Sequence, residues 1–214
     1  PKNLGFVKNH HKAIFELAQG DLFFILGDDD ELVNPDFLTE VVGFLRENPG
    51  VGVVGVAHTI EFLASGKSVE VKGQQKIYKS FAEYLPDRMN PYNLFFIGAT
   101  VVKREIALKT EAFRFNASTS DVDYIERCII LSPAAHLPIP SITYRIHPTN
   151  YSKSATSYRS IIRNIELNGR TCRFALANGV PRLTVSRFRQ KFWWGFWKSL
   201  IGGYIAELRG KIQP

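Results

Sequence analysis

Leu22-Phe23-Phe24-Ile25-Leu26 is an uninterrupted apolar run that Gly27 breaks and three aspartates, Asp28-Asp29-Asp30, follow. A run of that length between punctuating residues predicts a parallel strand buried on both faces. Three adjacent carboxylates repel unless water, a helix N-terminus or a bound cation neutralises them. Open α/β sheets bind ligands beyond the carboxyl ends of their strands, so acids there are candidates for holding a divalent metal. Asn34-Pro35-Asp36 offers a competing reading, because it has the form of a helix start and makes the aspartates a solvated turn before a cap. The run alone leaves both open.

The flanking segments set the fold class. Val7 to Gln19 has apolar residues at helical spacing, with Gly20 placed as a C-cap. Pro35 to Asn48 repeats that pattern through Phe37, Leu38, Val41, Val42 and Leu45 and stops at Pro49-Gly50. Val51 to Ala57 is β-branched and apolar, so helix, strand, helix and strand alternate as βαβ units require. From His58 to Asn93 the pattern weakens, leaving loops or a short hairpin around Ser65-Gly66. Leu94 to Val102 predicts a third strand and Arg104 to Thr110 a short helix or turn. Ser120 to Leu131 predicts a helix capped within Ser118 to Ser120, Ile139 to Ile146 a closing strand that runs into His147, and Tyr158 to Asn178 a further helix.

Composition narrows the function classes. With 45% hydrophobic and 22% charged residues, 214 residues suffice for one sizeable core, and disorder is not expected. Cys128 and Cys172 lie far apart without metal-ligand spacing, which argues against a disulfide framework or a zinc site and fits a reducing compartment. No apolar stretch reaches about 18 residues, so neither a spanning helix nor a secretory leader is expected.

The net charge of +7 is unevenly spread. From Arg182 onward seven Lys and Arg residues face Glu207 alone, so the tail carries nearly all of the excess. Between residues 186 and 210, Phe188, Phe192, Phe196, Leu200, Tyr204 and Leu208 recur every four residues with Trp193, Trp197, Ile201 and Ile205 beside them. Arg187, Arg189, Lys191 and Lys198 flank this face. The pattern predicts a helix in an anionic membrane interface, and its rival is a helix packed on the core. Nucleic-acid binding is not expected, because the cations border an apolar face rather than a polar groove.

The order of motifs resembles the family 2 glycosyltransferases, inverting enzymes with the nucleotide-sugar-binding GT-A fold. The residues that carry the likeness are Asn3-Leu4-Gly5, Gly20-Asp21, the strand Leu22 to Leu26, Asp28-Asp29-Asp30 and Asn34-Pro35. After them come Ser120-Asp121 with Arg127, then Tyr144-Arg145-Ile146-His147 with Asn150 and Ser152. The likeness spans Asn3 to Ser152. It implies an α/β, Rossmann-like sandwich over residues 1–152 that lacks its first βα unit, followed by a helical tail over 153–214. The family's first strand and nucleotide loop would precede Asn3, so an N-terminally truncated piece of a longer protein is implied, possessing only part of the machinery for activity.

The resemblance implies Mg²⁺ or Mn²⁺ held by Asp28, Asp29 and Asp30, with His147 as a metal ligand, a diphosphate contact or a structural hydrogen-bonding residue. Asn3, Lys8, Asn9, Asp28 and Arg145 are implied to approach the nucleotide-diphospho-sugar. Asp121 occupies the position of the catalytic base, with Asp123 as the alternative; each is equally readable as a helix N-terminal acid. The family often begins its acidic motif with Asp where Gly27 stands and precedes its base with Glu where Ser120 stands. The Gln-x-x-Arg-Trp signature of processive members is absent, which implies single transfers to a glycan or lipid-linked acceptor. A cytoplasmic enzyme, peripheral at the inner membrane face and serving cell-surface polysaccharide synthesis, is the implied setting. The alternative from another class is a non-catalytic fragment acting as a membrane-surface or protein interaction module.

Overall fold

The computed structural model describes residues 4–89, 94–147 and 158–212, the last fifteen of these as helical backbone only. Asn3, Asn150 and Ser152 lie outside the described residues. The architecture is α/β, with a mixed seven-stranded sheet. Its strands are β1 (Leu22–Phe24), β2 (Glu31–Leu32), β3 (Val53–Phe62), β4 (Lys67–Val71), β5 (Lys76–Tyr78), β6 (Thr100–Lys103) and β7 (Ala134–Ile146). The path is β1-β6-β3-β7-β2, with β4 paired to β3 and β5 to β7. Only β3 and β7 run parallel; every other pairing is antiparallel.

The helices are α1 (Phe6–His11), α2 (Phe37–Glu47), α3 (Phe81–Tyr84), α4 (Arg104–Lys109), α5 (Ser120–Leu131), α6 (Tyr158–Ala177) and α7 (Arg182–Ile212). They cover both faces of the sheet, and the alternation of strand side chains shows it. Val54, Val101 and Ala135 join Phe37, Val41 and Leu45 of α2 in one core cluster. Their chain neighbours Val53, Val102 and Ala134 point the other way, into a larger cluster with Ile125, Cys128 and Ile129 of α5. Both cysteines are buried and free.

Several expectations change. The Leu22 to Leu26 segment is a three-residue, half-buried strand antiparallel to β6, and Leu26 is exposed, because β1 ends the strand path and is covered less than a central strand. The first helix continues through a π-helical turn, Lys12–Leu17, and ends on Ala18 in extended conformation, so Gly20 is not its cap. Strand β7 starts five residues earlier than its sequence suggests. Pro138 and Pro140 sit at the register shifts against β3, where a bulge tolerates their missing donors. The hairpin around Ser65-Gly66 is present as β3–β4, with Gly66 at φ +65°.

The tail is not a detached interfacial helix along its whole length. Val185 and Phe188 are buried in the main core, Arg88 lies over the Phe188 ring at 4.9 Å, and Lys191 Nζ donates to the Leu85 carbonyl at 3.0 Å. The expected apolar face is therefore consumed by the core at its N-terminal end. Trp194 and Trp197 are 71% and 56% exposed. Among the described residues no helix is long and apolar enough to cross a membrane.

Candidate functional site

After β1 the chain turns through Gly27 to Asp30, with the Asp30 amide donating to the Gly27 carbonyl at 3.3 Å. It then pairs as β2 against Ile142 and Thr143 of β7. That register carries the aspartates along the last residues of β7. The Arg145 amide donates to Asp30 Oδ1 at 3.2 Å, and His147 Nε2 lies 3.0 Å from Asp29 Oδ2. Two motifs more than a hundred residues apart thus form one cluster.

Gly27 leaves the room that the two carboxylates occupy. A Cβ there would stand 2.7 Å from Asp30 Oδ2 and 2.8 Å from Asp29 Oδ1, closer than any side chain tolerates. Both carboxylates fold over the glycine, where the Asp common in the resembled family would displace them. Burial pushes the Asp30 carboxyl above its ordinary range and the charge of Asp29 adds to that, while the Arg145 and Gly27 amides oppose it. Asp28 is exposed at the tip.

Arg145, implied to approach the nucleotide-diphospho-sugar, has partners within the protein. Its guanidinium pairs with Glu31 on β2 and lies 3.6 Å from Glu61 on β3, so it braces three strands beside the aspartates. In this arrangement its charge is already shared between two carboxylates.

Asp121 opens α5 and is partly exposed. Crowding by the surrounding protein raises its carboxyl above the usual range, outweighing the backbone amides of Val122 and Asp121 and the nearby His10. Asp123, two residues on and so on the opposite side of the helix, meets a different environment. It is buried, accepts from Arg127 Nε at 2.9 and 3.0 Å, and accepts from the Thr171 hydroxyl on α6. These bonds leave it with a structural task and make Asp121 the better placed of the two for chemistry.

Comparison with protein-family models finds no match, and comparison with curated proteins finds none. The site is therefore read from its own geometry.

His10 is a residue whose setting the sequence hides. It is half-buried, bonds to the Phe6 carbonyl at 2.9 Å and packs against the rings of Phe6 (4.2 Å) and Phe113 (5.2 Å), which lie 6.3 Å from each other. Phe113 has φ 57° and Glu111 φ 52°, so the loop that delivers Phe113 is held in the left-handed region by two non-glycine residues. Asn9 and His10 line a hollow of about 330 Å³ with Lys12, Ala13, Leu17 and Ile25. Lys8 is exposed on the same helix. Among the described residues no group of three or more His, Cys, Asp or Glu side chains is arranged to hold a metal ion by itself. Asp29 and Asp30 supply hard oxygen donors, but a cation there would need further oxygen ligands from outside this pair.

Proposed function

We propose that the chain is the metal- and acceptor-handling part of a GT-A-type inverting glycosyltransferase, moving a sugar from a nucleotide-diphospho-sugar to a hydroxyl of a glycan or lipid-linked acceptor. The observation that carries the reading is the joining of Asp29 and Asp30 to His147 and Arg145 at the end of β7. A solvated turn before a helix needs no such junction. Asp29 and Asp30 would hold Mg²⁺ or Mn²⁺, which neutralises the charge developing on the departing nucleoside diphosphate. His147 fixes the orientation of Asp29, and Arg145 holds the turn through its amide and its bridge to Glu31. Asp121 is assigned the base: it opens α5 and is partly exposed, and burial raises its proton affinity, the direction that favours taking the acceptor's hydroxyl proton.

The test is calorimetric titration of UDP and GDP with and without Mn²⁺, on the unmodified protein and on Asp29→Asn, Asp30→Asn and Asp121→Asn. The reading expects Mn²⁺-dependent nucleotide binding that the first two variants lose and the third keeps while sugar transfer stops. Nucleotide binding indifferent to Mn²⁺ and to both substitutions would sink it. The second reading, an interaction module, rests on exposed Trp194 and Trp197, and predicts no effect of the aspartates on any binding event.

A further inference from the structure

We infer that the cleft between α6 and α7 binds the phosphate-bearing headgroup of an anionic membrane lipid. The cleft has a volume of about 390 Å³, on the scale of a small-molecule site. Its walls are apolar, from Ile165 and Leu176 on α6 and Phe192 and Trp193 on α7, and Arg173 and Arg189 stand on its opposite sides. Among the described residues neither arginine forms a hydrogen bond or ion pair, whereas Arg88, Arg127, Arg145 and Arg170 all do. Among the described residues no carboxylate lines the cleft. Two guanidinium groups without counter-charge beside an apolar wall match an anion that continues into an acyl chain.

The surroundings favour a lipid over a soluble phosphate. Arg189, Trp193 and Trp197 follow each other at four-residue steps on α7, so one helical row leads from the cationic lip through the cleft wall to an exposed indole. Trp194, Leu183 and Leu176 add exposed apolar surface on the same two helices. Tryptophan beside arginine is the side-chain pairing of a membrane headgroup layer. The sequence pattern ran the membrane face from Phe188 to Leu208; the core buries Phe188, and the inference keeps Phe192 and Trp193 of that face as walls of this cleft. It stands independently of sugar transfer.

The experiment is flotation of the full chain with phosphatidylcholine vesicles, with and without phosphatidic acid. Arg173→Ala with Arg189→Ala is expected to lower partition onto phosphatidic acid vesicles by about tenfold or more. The exposed pair Arg182→Ala with Arg187→Ala, outside the cleft, is expected to lower it less than about threefold. Gly169→Phe removes no charge but fills the cleft from α6, and is expected to weaken binding as the first pair does. Equal losses from the two arginine pairs, or unchanged binding by Gly169→Phe, would overturn the cleft as the site. Equal partition onto vesicles lacking phosphatidic acid would overturn the headgroup assignment, and full competition by glycerol 3-phosphate would overturn the lipid. Should variants misfold, quenching by brominated phosphatidic acid in Trp193→Phe and Trp194→Phe decides: the proposal requires the larger loss of quenching from Trp193→Phe.

Discussion

Arg127 and Arg145 both gather acidic side chains, one inside the protein and one at its surface. Arg127 holds Asp123 through Nε, donates to the Thr110 carbonyl at 3.1 Å, lies over the Phe174 ring at 4.7 Å, and has a side chain 10% exposed. Arg145 holds Glu31 and approaches Glu61 with a side chain 37% exposed. Around Arg127 every charge is matched and enclosed, and α5, α6 and the 110–113 loop are fixed to one another. Around Arg145 the matching is looser, and burial raises the proton affinity of Asp30 beside it, with the charge of Asp29 adding to that. The buried acid locks helices together, whereas Asp29 and Asp30 remain partly open to solvent.

Arg127→Ala is the strongest way to break this distinction. Removing one partner of a buried pair leaves Asp123 charged without compensation, a loss of about 3–5 kcal/mol. Urea unfolding measures it, and the double change Asp123→Leu with Arg127→Met is expected to recover most of the loss, since a packed apolar pair needs no counter-charge. A loss below about 1 kcal/mol from Arg127→Ala would place the pair in the surface class. Asp29→Asn is the converse: Mn²⁺ affinity, read by its electron paramagnetic resonance signal, is expected to fall on the order of tenfold to a hundredfold. Its stability change is expected to stay below about 1 kcal/mol, because Asp29 and His147 remain in contact with water.

The difference also marks how far the sequence could be read. The span of α5, Ser120 to Leu131, is legible because its apolar period is strong and Pro133 ends it, and the β3–β4 hairpin is legible from Ser65-Gly66. The aspartate motif and the Tyr144 to His147 strand were both visible, yet only the antiparallel β2–β7 register shows that they meet. Strand direction was not legible, since an apolar run reads alike in parallel and antiparallel sheets and β1 pairs with a strand about eighty residues away. The division of labour between Asp121 and Asp123 depends on Thr171, and the setting of His10 on Phe113; neither contact leaves a local pattern. Phe188, the first residue of the tail's expected apolar row, is claimed by the core.

A pH experiment sharpens the same contrast from the side of the sheet. His58 and His136 are buried neighbours, and burial depresses both; the charge of either would further disfavour the other's, as is seen at His58. Their folded proton affinity lies below the unfolded value, so the unfolded chain takes up protons first as pH falls. Stability is then full above about pH 6.5 and is lost as pH drops from there through the folded values, by at most about 1.4 kcal/mol per pH unit for each histidine. Among the described residues His136 Nε2 has no hydrogen-bond partner, so His136→Leu removes part of this slope without breaking a bond to that atom. Urea midpoints at pH 7.5 and 5.5 that coincide in the unmodified protein would contradict the assignment.

Arg145→Ala is expected to change global stability least, by about 0–1 kcal/mol, because water already screens its bridges to Glu31 and Glu61. Its effect should be local. Strand β2 is only two residues long, and beyond it the Val33 amide donates to the Ser141 carbonyl at 2.9 Å. Without the guanidinium, Glu31 and Glu61 repel across β7 and this short pairing loosens. Amide exchange at Val33 should quicken while exchange in α5 stays unchanged, and Arg145→Lys should restore only part of the protection, since an ammonium lacks the fork that spans two carboxylates. A stability loss above about 2 kcal/mol, with exchange rising throughout the sheet, would put Arg145 in the class of Arg127 and make the aspartate turn part of the framework rather than a surface prepared for a ligand.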